Sequence, residues 1–464
     1  MVFGLDTIRV SNMSNKTPQK SDFSQLPQVD KLIKHPELAA WSSQLLPQFR
    51  KGVIQQVLDE VRAAIKNDGM AFEEATLLKK IGEAFNALTA PALTRAINAT
   101  GIILHTNLGR APIGSQTLKN LQNELAGYCT LETDLETAGR GERTAQLESM
   151  LCALTGAEAA LVVNNGAAAV YLILNTLSFG KETLISRGEL VQIGGGFRMP
   201  DILRQSGAAL REVGTTNITE LIDYEKSVGP QTALLLKVHQ SCFHLQGHTH
   251  SPALKDLAAL AHKHQLPLAV DWGSGSLENR GEKELSIQEL LHTGCDILSF
   301  SGDKLFGASQ AGMIVGKRSW IQQLKKSPLY RALRLGKLDL FVLEDRIRNH
   351  LAGTPSPVQE FLDFPLEILK SRSDAFCKSL NEKGIRAETK LGYTPIGGGS
   401  TPDETLESCL IQVEVPDCEA AARKLAQFRV PIYVRKERGA LLLDLRTVFP
   451  ADEKILLEAL QCLF

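Results

Sequence analysis

The chain has 464 residues, with 51 Lys or Arg against 52 Asp or Glu and a formal net charge of -1 at pH 7. That length exceeds one ordinary core and implies two or three folded units. The balanced charge excludes a global field that gathers nucleic acid, so any RNA contact must rest on a local basic patch. Hydrophobic residues at 43% and charged residues at 22% match a soluble globular chain. The eight cysteines (Cys129, Cys152, Cys242, Cys295, Cys377, Cys409, Cys418 and Cys462) include no C-x-x-C pair. That excludes the usual zinc and redox spacings, so no metal is expected, and it reads as reduced thiols. Met1 to Lys20 is polar without an apolar h-region, and no apolar run reaches the length of a membrane span. A cytoplasmic protein without membrane contact is expected.

Taken in chain order, residues 1–22 are rich in Asn, Ser, Thr and Lys and are predicted to be a disordered tail. Residues 23–88 carry helical patterning: Val53, Ile54, Val57, Leu58, Val61 and Ile65 form one apolar stripe. This small helical unit is either a packing arm of an oligomer or a docking domain. Residues 89–350 form the predicted core domain. From Ile97 to about Gly316, short apolar runs alternate with helical stretches, at Ala160–Val163, Thr183–Ser186, Ala233–Val238, Pro267–Asp271, Asp296–Ser301 and Met313–Val315. The alternation predicts an α/β fold with a mainly parallel sheet, whose ligands gather at the carboxyl ends of the strands. A helical stretch from about Trp320 to Leu351 follows, and Gly353-Thr354-Pro355-Ser356-Pro357 breaks the chain. Residues 351–464 read as a smaller α+β domain, with runs at Ser408–Val415, Pro431–Val434 and Ala440–Leu445 and a helix from Asp452.

Three strand ends carry chemistry. Ala160 to Val163 leads through Asn164-Asn165 into Gly166-Ala167-Ala168-Ala169, a small-residue turn opening a helix. The backbone N–H groups of Gly166, Ala167 and Ala168 would face an anion there, helped by the helix dipole, although small residues also suit a plain turn. Leu268-Ala269-Val270 ends in Asp271, followed by Trp272-Gly273-Ser274-Gly275. A carboxylate at the end of a buried strand needs a cationic partner, such as a protonated pyridine nitrogen, unless it caps a turn. Leu298-Ser299-Phe300 runs into Ser301-Gly302-Asp303-Lys304, 33 residues after Asp271. A lysine at such a strand end can lose its proton and attack an aldehyde, while the Ser301 hydroxyl can donate to a phosphate. Together the three elements fit pyridoxal 5′-phosphate (PLP), with Lys304 as the Schiff-base residue.

The stretch Leu305 to Lys337 holds no acidic residue but contains Lys317, Arg318, Lys325, Lys326, Arg331, Arg334 and Lys337. Arg331 and Arg334, three apart, are predicted to share a helix face. That face would hold a phosphate-like anion, line an RNA backbone, or simply be solvated. His239 ends a strand run and is a candidate cofactor contact. The cluster His244, His248 and His250 reads as a solvated turn rather than a metal site.

Longer motifs tie the chain to a known family. They are Ile97-Asn98-Ala99-Thr100-Gly101, Leu104-His105-Thr106-Asn107-Leu108-Gly109-Arg110-Ala111, Gly139-Arg140-Gly141, Ser186-Arg187-Gly188-Glu189-Leu190, Glu212-Val213-Gly214-Thr215-Thr216-Asn217 and Ser301-Gly302-Asp303-Lys304. In these, and from Ser24-Gln25-Leu26-Pro27 onward through nearly the whole chain, the sequence resembles the bacterial selenocysteine synthases, the L-seryl-tRNA(Sec) selenium transferases. The resemblance implies a fold-type-I PLP-dependent transferase (aspartate-aminotransferase-like) core and a tRNA-binding N-terminal domain. It implies a homo-oligomer too, a ring of dimers such as a decamer. The implied activity turns seryl-tRNA(Sec) into selenocysteyl-tRNA(Sec) with selenophosphate, by loss of water to an aminoacrylyl-tRNA and addition of selenium. Lys304 then resembles the Schiff-base lysine, Asp271 the pyridinium partner, and Gly166 to Ala168 the phosphate cradle. Arg110, Arg331 and Arg334 resemble the arginines that hold the selenium donor, joined by Arg143. The chain departs from the family where Gly307-Ala308-Ser309-Gln310 replaces Gly-Gly-Pro-Gln and Trp272 replaces Leu.

The stacking partner of the cofactor ring is not legible beyond the stretch Glu189–Phe197. A PLP-dependent β-lyase or desulfurase acting on a free amino acid is the rival reading. A desulfurase would need a mobile cysteine after Lys304, and none occurs between Cys295 and Cys377. A non-catalytic tRNA-binding protein on a dead PLP fold would have lost Lys304 or Asp271, and both are present.

Overall fold

A computed structural model describes residues 26–41, 43–68, 72–193, 196–243, 245–280, 284–398 and 404–464. The expected disordered tail, residues 1–22, lies outside the described residues. The chain divides between Thr94 and Arg95 into two units.

In the first unit, α1 (Val29–Ile33), α2 (Pro47–Asp68) and α3 (Glu74–Thr89) pack on one another. The stripe read from the sequence is its core: Ile54, Val57, Leu58, Val61 and Ile65 are buried against Leu77, Ile81 and Phe85. Apolar residues three and four apart place one face of each helix inward, and that burial rather than helix propensity holds so small a bundle. Val53 is only partly buried, at the edge of this core.

The second unit is built on a seven-stranded sheet, with β1 (Ala159–Val163), β2 (Glu182–Ser186), β3 (Ala209–Val213), β4 (Thr232–Val238), β5 (Leu268–Asp271), β6 (Ile297–Ser301) and β7 (Gly312–Gly316) in the order β1-β7-β6-β5-β4-β2-β3. All neighbours pair in parallel except β7, which runs antiparallel to both β1 and β6. Side chains alternate between two cores, as the period of a strand demands. Ala160, Val162, Leu268, Val270, Leu298 and Phe300 go to one face, and Leu161, Val163, Ala269, Ile297 and Ile314 go to the other. The edge strand β3 was not among the apolar runs. Its Arg211 and Glu212 are exposed, so only Val213 carries the buried signature.

The helical stretch after the sheet is three helices: α5 (Arg318–Lys326), α6 (Pro328–Ala332) and α7 (Lys337–Leu351). Pro328 starts α6 at its first position, which its missing N–H permits. Beyond them, β8 (Ala387–Pro395), β9 (Thr405–Glu414), β10 (Arg435–Glu437) and β11 (Ala440–Asp444) form an antiparallel sheet in the order β8-β9-β11-β10. It packs on α8 (Leu366–Glu382) and α9 (Glu453–Gln461) through Leu369, Phe376, Ile411, Leu443 and Leu456. The run at Pro431–Val434 does not join that sheet. Ile432 and Tyr433 pair in parallel with Ile97 and Asn98, which fastens the start of the unit to its end.

Candidate active site

The sheet order gathers the three chemical strand ends. The C-terminal residues of β1 and β6, Val163 and Ser301, both pair with Gly312 of β7, so they flank one strand at the same level. A Cβ built on Gly166 would come within 2.8 Å of the Ser301 hydroxyl, so the turn into α4 (Gly166–Ser178) sits directly against the Ser301 loop. Asn165 caps α4 by accepting from the Ala168 N–H at 2.8 Å. Of the three N–H groups expected to face an anion, that of Ala168 is therefore taken by the cap, and those of Gly166 and Ala167 remain at the helix start.

On the other side of β6, Asp271 ends β5 opposite Ser299, and the Ser299 hydroxyl donates to Asp271 Oδ1 at 2.8 Å. Burial pushes the Asp271 carboxyl above the usual carboxylate range, although the Ser299 bond and the nearby Lys304 charge oppose this. Lys304 is 8% exposed. Burial lowers its amine from the ordinary lysine value; Arg110 adds to that, while Asp271, Asp303 and Glu284 pull the other way. Burial that weakens the hold on the proton makes the amine a better nucleophile. Gly273 admits it: a Cβ there would lie 3.1 Å from Lys304 Nζ. His239 follows β4 and donates its N–H to the Asp271 carbonyl at 2.9 Å. Its imidazole stacks on the Trp272 indole with ring centroids 3.9 Å apart and planes 7° from parallel.

The arginines fall into separate settings. Arg110, in a left-handed conformation at φ 58°, reaches Asp303 beside Lys304 with Nη1 2.6 Å from Oδ2. Arg143 pairs with Glu132 at 3.0 Å and donates to the Leu335 carbonyl at 3.1 Å. Arg334 also approaches Glu132, at 3.9 Å. These residues line a cavity of about 260 Å³ together with Arg140, Lys325 and Tyr330. Arg331 is exposed. The shared helix face expected for Arg331 and Arg334 does not form. Helix α6 ends at Ala332, and Arg334 lies past its cap, where the chain turns toward α7. Part of the basic run is spent in ion pairs: Lys317 with the buried Asp296 at 2.6 Å, and Lys325 with Glu142 and Glu148 at 2.8 and 3.0 Å.

His250 pairs with Glu220 at 3.3 Å, while His244 lies outside the described residues. Within the Glu189–Phe197 stretch, Glu189 is buried and bound to Lys237 at 2.6 Å, and Gly194 and Gly195 lie outside the described residues. Sequence reasoning missed three groups. Asp303 was read only as part of a motif, and Glu132 and Glu284 were not singled out at all. Only Asp303, one residue before Lys304, had a signal that pattern could have used.

Two family descriptions match this chain: L-seryl-tRNA selenium transferase over residues 96–449 and selenocysteine synthase N terminal over residues 23–62. The chain belongs to the L-seryl-tRNA(Sec) selenium transferase family. Members from Geobacter metallireducens and Aquifex aeolicus are 40% and 38% identical to it, each alignment covering 95% of this chain and 99% of the relative. A third, from Geobacter sulfurreducens, is 38% identical over 95% of this chain and 98% of its own. Among solved structures, D-glucosaminate-6-phosphate ammonia-lyase superposes with a TM-score of 0.57 at 18% identity, covering 80% of this chain and 96% of that one. That likeness shows the fold alone, the fold-type-I architecture of PLP-dependent transferases, and the family match covers both units.

Proposed function

We propose that this chain converts seryl-tRNA(Sec) to selenocysteyl-tRNA(Sec), with PLP held between β1, β5 and β6 and selenophosphate as the selenium donor. The observation that carries the reading is the pairing of a buried Lys304, whose amine is lowered from the ordinary lysine value, with a buried Asp271 that makes no ion pair among the described residues. A buried carboxylate of that kind is unfavourable until a cation arrives, and a protonated pyridine nitrogen is such a cation. The residues present fit the cofactor. Asp271 would hold the ring nitrogen, Lys304 the aldehyde carbon, and the Gly166 and Ala167 N–H groups with the Ser301 hydroxyl the phosphate. When bound, PLP supplies an electron sink for charge developing at the substrate α-carbon.

The chain's own residues do the rest. The Lys304 amine would take the proton from the seryl α-carbon, and Asp271 would keep negative charge opposite the ring nitrogen. The seryl β-hydroxyl would leave as water with the proton taken from the α-carbon, selenium of selenophosphate would bond to the β-carbon, and a water would take the phosphoryl group as the P–Se bond breaks, releasing phosphate. Arg143 and Arg334, with Arg331 and Arg110, supply the guanidinium forks for that anion. The cavity around Glu132 supports this reading, because Glu132 already occupies the place of an anion between two of them. The N-terminal helical unit, residues 23–88, would dock the tRNA, and the chain would work in the cytoplasm as a homo-oligomer, a ring of dimers. Among the described residues, no helix is long and apolar enough to cross a membrane.

The experiment is an absorbance scan of purified protein with and without seryl-tRNA(Sec). The visible cofactor band should be present, absent in Lys304→Ala, and shifted by seryl-tRNA(Sec) but not by free serine. A band that responds to free serine or cysteine instead overturns the tRNA assignment.

A further inference from the structure

We propose that Glu284 is a positioning residue of the cofactor pocket: one of its carboxyl oxygens fastens Trp272 and Ser274 on either side of Gly273, and thereby sets the clearance at the Lys304 amine and the seat of the His239 ring. Glu284 is fully buried. Its Oε1 accepts from the Trp272 indole N–H at 3.0 Å and also from the Ser274 hydroxyl. Its Oε2 is buried without a hydrogen-bond partner among the described residues. The segment between these two anchors is the one that wraps Lys304. The Trp272 N–H binds the Ser299 carbonyl at 2.9 Å, the Ser301 N–H binds the Gly273 carbonyl at 3.2 Å, and the Leu305 N–H binds the Ser274 carbonyl at 3.0 Å. Gly273, midway between the anchors, faces the Lys304 amine closely enough that a Cβ would stand 3.1 Å from it.

The indole carries the effect further. Its face lies on His239, which is itself tied to Asp271 through the backbone. One buried carboxyl thus braces the amine, the imidazole and the end of β5 together. Packed geometry of this kind matters because a displacement of about 1 Å at reacting groups costs roughly 100-fold in rate. Burial and the nearby Glu404 push the Glu284 carboxyl up to about 7, against the pull of Ser274, Trp272 and Lys304. The protonated form therefore persists toward neutrality. Among the described residues, the charged or titratable groups around it are Lys304 and Glu404, with His239 across the indole and Asp271, Asp303 and Arg110 around the lysine.

This inference rests on the cofactor site proposed above, so one readout must not need the cofactor. Trp41 and Trp320 are the other two tryptophans of the chain. In the full-length protein carrying Trp41→Phe and Trp320→Phe, Trp272 emission is followed against pH before PLP is added, with Glu284→Gln and Glu284→Leu compared and a His239→Asn control removing the imidazole's own titration. After loading with PLP, the pH midpoint of the visible band is measured, along with kcat and KM for seryl-tRNA.

The emission should titrate near neutral pH in the parent. The Gln variant, which keeps an acceptor but cannot ionise, should lose that titration while keeping the emission maximum and kcat. The Leu variant should alter the emission, move the band midpoint and lower kcat roughly tenfold at unchanged KM, as a misplaced pocket wall does. A Leu variant with a lower melting temperature but unchanged emission and midpoint overturns the proposal, and so does a Gln variant whose titration persists in the His239→Asn background. Failure of the cofactor reading itself would appear separately, as no visible band in the parent.

Discussion

The pocket at Lys304 and the basin at Glu132 both concentrate charge, but they do so in opposite ways. At Lys304 the sheet buries an amine and a carboxylate, and desolvation moves both toward their neutral forms. In the basin, Arg143 and Arg334 keep their charges half-exposed and already share the Glu132 carboxylate. In the first, desolvation sets the reactivity of the groups. In the second, the charges already share Glu132, which an anion of the proposed kind would have to displace. Burial inside a parallel sheet tunes reactivity, whereas a loop-lined cavity tunes affinity through competition.

That contrast can be broken in order of expected effect. Lys304→Ala should lower turnover by about 10⁴-fold or more, since under the proposed mechanism it removes both the covalent anchor and the base; single-turnover assays with seryl-tRNA check this. Asp271→Asn keeps the shape and the Ser299 contact but removes the charge, and should lower kcat by about 10²-fold, the scale of one preorganised electrostatic contact. Its bound cofactor should also dissociate more readily in dialysis. In the basin the effects should fall on KM. Arg334→Ala should raise KM for selenophosphate by about tenfold, equivalent to ~1.4 kcal/mol. Glu132→Gln should lower that KM, and an unchanged or raised value would show that Glu132 organises the arginines rather than competing for them.

The smallest effect is on stability. The folded-state Glu284 carboxyl sits at about 7, above its ordinary value of 4.5. Its contribution is therefore fully present below pH 4.5 and is lost as pH rises through about 7. Glu284→Gln, which cannot ionise, should raise the melting temperature relative to the parent by about 2 °C at pH 8, on the order of 1 kcal/mol, and by less at pH 5.

Legibility followed the local or non-local character of each signal. The strands β1, β2, β4, β5, β6 and β7 were visible because a strand buried on both faces is continuously apolar; β3, with one polar edge, was not. Lys304, Asp271, Ser301 and the turn at Gly166 could be proposed from the sequence because each ends or closely follows such a run. Arg331 and Arg334 were legible as charges, but their supposed common face failed where the short α6 stopped, a boundary that three-residue spacing cannot reveal.

By itself, then, the sequence determined the α/β class, the helical N-terminal unit, the order of the chemical strand ends and the family, because periodicity and motifs are local. Only the tertiary structure decided which groups meet. The antiparallel β7 brings Val163 and Ser301 to the same level, Glu132 stands between Arg143 and Arg334, and Glu284 reaches Trp272 and Ser274. Those partnerships depend on sheet order and on burial. Both arise from packing between segments distant in sequence, and no window along the chain contains that information.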